Sequence, residues 1–324
     1  MRYAFFGTPP FSAQLLQLLL DAGLRPEFVV TQPDAASRRG HELWPSAVAE
    51  VATQAGLPLE KPDSFRDPTG KLSFETRLLV ETQNLDCVIL AAYGKIIPSF
   101  LLSAPRQGWI NLHTSLLPRW RGAAPIQRAI LTGDEATGVS VMRMADGLDV
   151  GPYCAQAQVH IGDKDLAQLE DVLATKGAEL LLAELPKIID GTATWQKQDE
   201  ALATYATKIG KHELDLSAEL SAEDNARHVR ASSDSAHACL TLVCGNRDIS
   251  VRALHAKLWP LAVQQAHRTP GTAIVKNDRL VLICASASAC CVITRLQPAG
   301  KRPQDSADFL HGLHLNAEES LLWR

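Results

Sequence analysis

Short apolar runs recur through the first third of the chain, at Tyr3–Phe6, Phe28–Thr31, Cys87–Ala92 and Trp109–His113. Each has the length of a strand. Helical patterns stand between the early ones, at Phe11–Ala22 and from Ser46 to about Gln54, the second with apolar spacing at Val48, Val51 and Ala52. Apolar runs of this kind belong in a sheet buried on both faces, and strands alternating with helices make such a sheet parallel. Ligands then bind outside the carboxyl ends of the strands. The first of those ends, Gly7-Thr8-Pro9-Pro10, lacks the Gly-x-Gly-x-x-Gly that brings a pyrophosphate against the backbone, and no Walker-type loop occurs. A dinucleotide cofactor is therefore disfavoured, and the sheet needs another ligand.

The pattern changes further on. Val139–Met144 reads as a strand and Asp165–Asp190 as a long helix, which Gly177 interrupts and divides, with Gly191 as its stop signal. Thr192–Leu214 is polar and weakly patterned, as a linker would be. Beyond it come short strands at Ala238–Cys244, Asp248–His255, Thr272–Val275, Leu280–Ala285 and Cys290–Leu296, separated by turns such as Gly245-Asn246 and Asn277-Asp278. Close spacing of this kind suggests a small barrel or sandwich. At 324 residues two domains are expected.

Composition narrows the class. No apolar run approaches the ~20 residues that span a bilayer. The chain enters a strand at Tyr3, which leaves no room for a signal peptide and points to the cytoplasm. Seven cysteines, an odd number without framework spacing, argue against a disulfide scaffold. Cys239, Cys244, Cys284, Cys290 and Cys291 lie in strand-like apolar surroundings and read as buried thiols, so no metal is expected.

Chemistry enters at the end of the fourth run. Strand side chains alternate faces, so Asn111 and His113 point one way and Ile110 and Leu112 the other. An amide donor beside an imidazole suits a carbonyl whose oxygen becomes negative during attack. By itself Asn-x-His is more often a hydrogen-bonded strand end. A second signal is the loop Ala145-Asp146-Gly147-Leu148-Asp149-Val150-Gly151-Pro152, whose glycines allow close approach to a ligand, or simply make a tight turn.

Taken together, Trp109–Ile130 and Asp146–Pro152 resemble the folate-dependent formyltransferases. Within that family the continuation Arg119-Trp120-Arg121-Gly122-Ala123-Ala124-Pro125-Ile126-Gln127 is similar to the members that act on methionyl-tRNA. Phe6-Gly7-Thr8-Pro9, Thr31-Gln32-Pro33-Asp34, Ala92-Tyr93-Gly94 and Leu296–Arg302 extend the likeness over most of the chain. The resemblance implies a Rossmann-like formyltransferase domain at 1–204, a linker at 205–214, and a barrel-like, OB-like β domain for tRNA at 215–324. It implies transfer of the formyl group of 10-formyltetrahydrofolate to the α-amine of initiator methionyl-tRNA, by a cytoplasmic monomer without metal. Asn111, His113 and Asp149 become the catalytic set: Asn111 and His113 stabilise the tetrahedral intermediate and Asp149 assists. Ser115, Leu116, Leu117 and Pro118, with Tyr93, Gly94, Lys95, Ile97, Leu148 and Val150, become folate contacts.

The chain also departs from the family. Its net charge of −4 is not that of a phosphate binder, so a tRNA footprint must come from local clusters. These are Arg38 and Arg39, Arg119, Arg121 and Arg128, Lys208 and Lys211, and Lys301 with Arg302. The family's Arg-Pro-Ala-Gly-Arg-Gly-Lys-Lys loop stands here as Ala35–Glu42, with Arg39 retained and the lysine pair replaced by His41 and Glu42. A formyltransferase acting on an amino sugar or another small amine would share the three catalytic residues, and it is the alternative reading.

Overall fold

The computed structural model describes residues 1–36, 43–65, 74–260, 269–285, 288–313 and 321–324. Two compact units emerge. One comprises Met1–Pro125, Ala136–His160 and Gln168–Thr207, and the other Ile126–Glu135, Ile161–Ala167 and Lys208–Arg324.

The first unit is built on a seven-stranded sheet in the order Tyr153–His160, Ala136–Arg143, Trp109–His113, Cys87–Ala91, Tyr3–Gly7, Phe28–Val30, Leu59–Glu60. From Trp109–His113 onward all neighbours are parallel. The four apolar runs are strands as expected, every residue of Tyr3–Gly7, Cys87–Ala91 and Trp109–His113 being buried. The expected strand at Val139–Met144 runs antiparallel to Trp109–His113, with Asn111 opposite Met142 and His113 opposite Ser140. Its own partner, Tyr153–His160, was not apparent in the sequence because most of its residues are only half-buried and carry no apolar run.

Between strands, Pro10–Asp21 and Ala47–Gln54 are helices, the second capped by the Ser46 side chain accepting from Ala49 N. Gly7 serves close packing: a Cβ there would lie 2.7 Å from that of Ser12, whose hydroxyl donates to Ala91 O at 2.6 Å. Gly177 does not divide the long helix. Leu166–Asp190 runs unbroken for 25 residues, and a Cβ on Gly177 would meet Leu112 Cδ2 at 2.3 Å. The missing side chain lets the helix settle on the Leu112 face of the sheet, opposite Asn111 and His113.

The second unit contains an antiparallel sheet in the order Arg247–Pro260, Cys239–Cys244, Leu321–Trp323, Thr272–Lys276, Arg279–Leu282, Ala289–Pro298, Gln304–Asp305. Arg247–Pro260 also pairs with Ala289–Pro298, so six strands close into a barrel. Closure leaves those strands without the free edges that invite aggregation. Leu321–Trp323 and the helices Ala222–Arg230 and Ser306–His311 were not anticipated. Pro125–Thr132 is a helix that enters this unit at Ile126, where Gln127 Nε2 donates to Ala231 O at 2.7 Å and Arg128 pairs with Glu213. Arg230 likewise donates to Gly162 O.

All seven cysteines are free thiols. Cys87, Cys244, Cys284, Cys290 and Cys291 are buried, whereas Cys239 is half-buried, less than its surroundings in sequence suggested. Burial pushes the Cys87 thiol up to about 12 and Cys284 to about 11. Among the described residues no helix is long and apolar enough to cross a membrane.

Candidate active site

The end of the strand Trp109–His113 carries two polar side chains that are almost wholly buried, Asn111 at 7% exposure and His113 at 6%. Burying such groups is costly unless they are partnered. His113 is partnered. Its Nε2 lies 2.9 Å from the Trp120 carbonyl, which can only accept, so the proton sits on Nε2. Its Nδ1 then faces Asp149 Oδ2 at 3.7 Å, too long for a hydrogen bond. The Asn111 carboxamide has no hydrogen-bond partner among the described residues.

Asp149 arrives from the loop Ala145–Pro152. This loop leaves the sheet where Met144 N donates to Trp109 O at 2.8 Å, yet its tip comes back to His113. Gly151 makes that path possible, since a Cβ there would stand 1.8 Å from Arg143 O. Asp149 itself has φ +52°, a left-handed conformation that is costly for a residue other than glycine and persists only where the surroundings enforce it. Gly122 N donates to its carboxylate at 2.8 Å, and Gln198 Nε2 donates to its carbonyl at 2.7 Å.

The segment Ser115–Pro118 is pinned from below. Ser115, fully buried, donates to Arg119 O at 2.6 Å, and its own carbonyl accepts from Ser140 Oγ at 2.6 Å. Leu117 N donates to the same hydroxyl at 3.1 Å, and Gln156 Nε2 donates to Leu117 O at 2.9 Å. Leu116 packs over Gly138, where a Cβ would lie 2.5 Å from its Cδ2. The Leu117–Pro118 peptide is cis.

The other expected folate residues divide by exposure. Tyr93 is buried against Phe6 and Phe65, and its carbonyl accepts from Thr8 Oγ1 at 3.0 Å and Gln32 Nε2 at 2.8 Å. Gly94 has φ +83°, and a Cβ there would strike Gln32 Nε2 at 2.5 Å. Lys95 Nζ donates to Pro62 O and Asp63 O at 2.6 and 2.9 Å, and Ile97 points into the core. The neighbouring Ile96, which sequence reasoning passed over, is 90% exposed, and Leu148 is exposed as well, with Val150 half-buried beside it. Ser99 Oγ donates to Asp146 Oδ1 at 2.8 Å and so ties these two loops together.

The basic clusters separate too. Arg121 is not available to a phosphate: it is fully buried, and its guanidinium donates twice to Glu200, at 2.9 and 2.8 Å. Arg128 is engaged by Glu213, while Arg119 lies over the Trp120 ring at 4.5 Å. Lys208, Lys211, Lys301 and Arg302 are exposed. Arg38 and Arg39 lie outside the described residues.

Sequence reasoning missed the supports: Trp120 O, Gly122 N, Ser140, Gln156, Thr204 and above all Gln198. The stretch Thr192–Leu214, read as a linker, carries two of them. Tyr205–Ala206 within it pair as a strand with Arg121–Gly122.

Comparison with known proteins places the chain in a family. Residues 1–185 match the formyl transferase family model, and residues 208–314 match that of the formyl transferase C-terminal domain. The methionyl-tRNA formyltransferase of Thiobacillus denitrificans is 40% identical over 98% of this chain and 98% of its own length. That of Methylococcus capsulatus is 38% identical over 96% of each chain. Among solved structures, the sugar 3N-formyl transferase WlaRD shares the fold with a TM-score of 0.63, covering 93% of this chain and 99% of its own at 13% identity. The chain belongs to the formyl transferase family, within the group of the methionyl-tRNA formyltransferases.

Proposed function

We propose that this protein transfers the formyl group of 10-formyltetrahydrofolate to the α-amine of initiator methionyl-tRNA, with Asn111, His113 and Asp149 as the reacting set. The observation that carries the reading is likeness over nearly the full length, C-terminal domain included, to proteins named for that reaction. The folate supplies an activated formyl group. The amine nitrogen bonds to the formyl carbon, the bond from that carbon to the folate nitrogen breaks, and the proton that the amine loses is replaced at the folate nitrogen, which departs as N–H.

The residues fit that demand. Asn111 offers an unpartnered N–H donor at the strand end, suited to the formyl oxygen as it gains negative charge. His113 and Asp149 face each other across Nδ1 and receive the departing proton, and His113 once protonated adds positive charge beside the oxygen. Ser115–Pro118 and Tyr93–Lys95 and Ile97 offer the folate mainly backbone, because Ser115, Leu117, Tyr93 and Ile97 have buried side chains. Leu148 and Val150 offer apolar contact to its ring. Exposed Lys301 and Arg302 are phosphate contacts, with Arg38 and Arg39 assigned to the same role. The reading includes a cytoplasmic, monomeric and metal-free protein, open to fractionation, sedimentation and metal analysis.

The deciding assay mixes the purified protein with 10-formyltetrahydrofolate and either methionyl-tRNA or amino-sugar nucleotides and free small amines. Formylation of methionyl-tRNA alone is expected. Formylation of the small amines alone would overturn the reading in favour of the alternative.

A further inference from the structure

Gln198 stands outside every motif of the family likeness, yet its side chain is buried and fully bonded beside the site. It follows the long helix Leu166–Asp190, in a segment anchored where Tyr153 and Gln196 exchange backbone bonds of 3.1 and 2.8 Å. It is 3% exposed. Its Nε2 donates to both Asp149 O and Gly151 O, each at 2.7 Å, and its Oε1 accepts from Arg121 Nε at 3.0 Å. These three bonds admit one orientation of the amide. Turned over, it would set an N–H against the Arg121 N–H and an oxygen against two carbonyls. Arg121 cannot swing away, because Glu200 holds the far side of its guanidinium.

The two carbonyls flank Val150, so one side chain fixes the arc Asp149–Gly151, in which Asp149 takes its left-handed conformation. The same strip of chain braces the opposite side of the site. Trp120 N donates to Thr204 Oγ1 at 2.9 Å, Arg121 N donates to Thr204 O at 2.8 Å, and Arg121–Gly122 pair with Tyr205–Ala206. A Cβ on Gly122 would lie 2.8 Å from Ala206 O, so this approach is as close as backbone allows. Trp120 supplies the carbonyl on His113 Nε2, and Gly122 the amide on Asp149 Oδ2. Residues 198–206 therefore set both walls between which His113 and Asp149 meet.

We propose that Gln198, locked by Arg121 and Glu200, is a positioning residue for formyl transfer, holding the Asp149–Gly151 arc so that the Asp149 carboxylate stays against His113. The inference rests on the reading of Asn111, His113 and Asp149 as the reacting set. Gln198→Glu keeps the shape and the acceptor for Arg121 but turns an oxygen toward the two carbonyls, so the arc is released. Displacements of about 1 Å remote from the chemistry cost roughly a hundredfold in rate. A loss of that order is expected in kcat, with the KM for methionyl-tRNA and for 10-formyltetrahydrofolate little changed.

The test is a double-mutant cycle of Gln198→Glu with Asp149→Asn, read as kcat and both KM values, with circular dichroism to verify the fold. If Gln198 acts through Asp149, adding Gln198→Glu to Asp149→Asn lowers kcat no further. A multiplicative loss, or a Gln198→Glu enzyme with full kcat, overturns the proposal. Gln198→Met, of similar volume and without a donor, enters the same cycle should the glutamate variant fail to fold. An Asp149→Asn enzyme that turns over normally would instead refute the reading of the site itself, so the two failures are distinct.

Discussion

Two primary amides lie almost buried in the same unit, and they are used in opposite ways. Gln198 has both N–H groups and its oxygen saturated by protein, at 2.7, 2.7 and 3.0 Å. Asn111 sits at the end of a fully buried strand and spends its amide on nothing among the described residues. A buried polar group is tolerated when satisfied and costly when not. The saturated amide therefore reads as a brace, and the Asn111 amide, bonded to no group among the described residues, is left open to a ligand. The contrast separates support from chemistry without reference to sequence motifs.

The contrast breaks most readily at Asn111. Asn111→Ala is expected to lower kcat by roughly a hundred- to a thousandfold, the usual effect of removing an oxyanion donor, or ~2.7–4 kcal/mol. Because no protein group loses a partner, urea unfolding should give an unchanged midpoint. A fully active variant would remove Asn111 from the chemistry, and a large loss of stability would make it a brace after all. Gln198→Leu should behave in reverse on the stability axis. It strands two carbonyls and one face of a buried guanidinium, and each buried group left without a partner costs about 1–3 kcal/mol. Urea denaturation should show a loss of about 3 kcal/mol, and stability equal to the parent would end the comparison.

Gly177→Ala probes the opposite face of the same strand, where the added methyl must displace Leu112. Overpacking of this kind costs roughly 1–3 kcal/mol, seen as a lower melting temperature. The rate constant should hardly move, since Leu112 points away from Asn111 and His113.

The smallest effect belongs to the cations, where saturation makes the same distinction. Lys301→Ala should reduce the slope of log affinity for methionyl-tRNA against log salt by about one, as one phosphate contact is lost. Arg121→Lys should leave that slope alone and act on kcat. A salt slope that followed Arg121 would contradict its assignment as a brace.

The sheet was legible because buried parallel strands are written as apolar runs, and Tyr3, Cys87 and Trp109 each begin one. Asn111, His113 and Asp149 were singled out because the motifs around them resemble a known family, and the fold brings His113 and Asp149, distant in sequence, to face each other. Tyr153–His160 was not, since a half-buried edge strand needs no apolar run. Gln198 was hidden for a different reason. Its meaning lies in three bonds to residues 121, 149 and 151, distant in sequence, and a polar stretch reads alike whether it is solvated or internally saturated. Gly177 illustrates the converse error. A helix-weakening residue was read by its propensity, whereas its position is decided by the Leu112 side chain across the interface.

The second unit is assembled from three stretches of chain, Ile126–Glu135, Ile161–Ala167 and Lys208–Arg324. Time therefore enters its formation. During synthesis Gln127 and Arg128 leave the ribosome long before Glu213 and Ala231, the residues they bind. Domains tend to form as units in the order in which they are made, and contacts that join distant stretches come late. The helix that continues from the Arg119–Ala124 motif consequently waits, one face unclaimed, until the C-terminal third has been translated. A chain stopped near residue 207 would be left permanently at that stage.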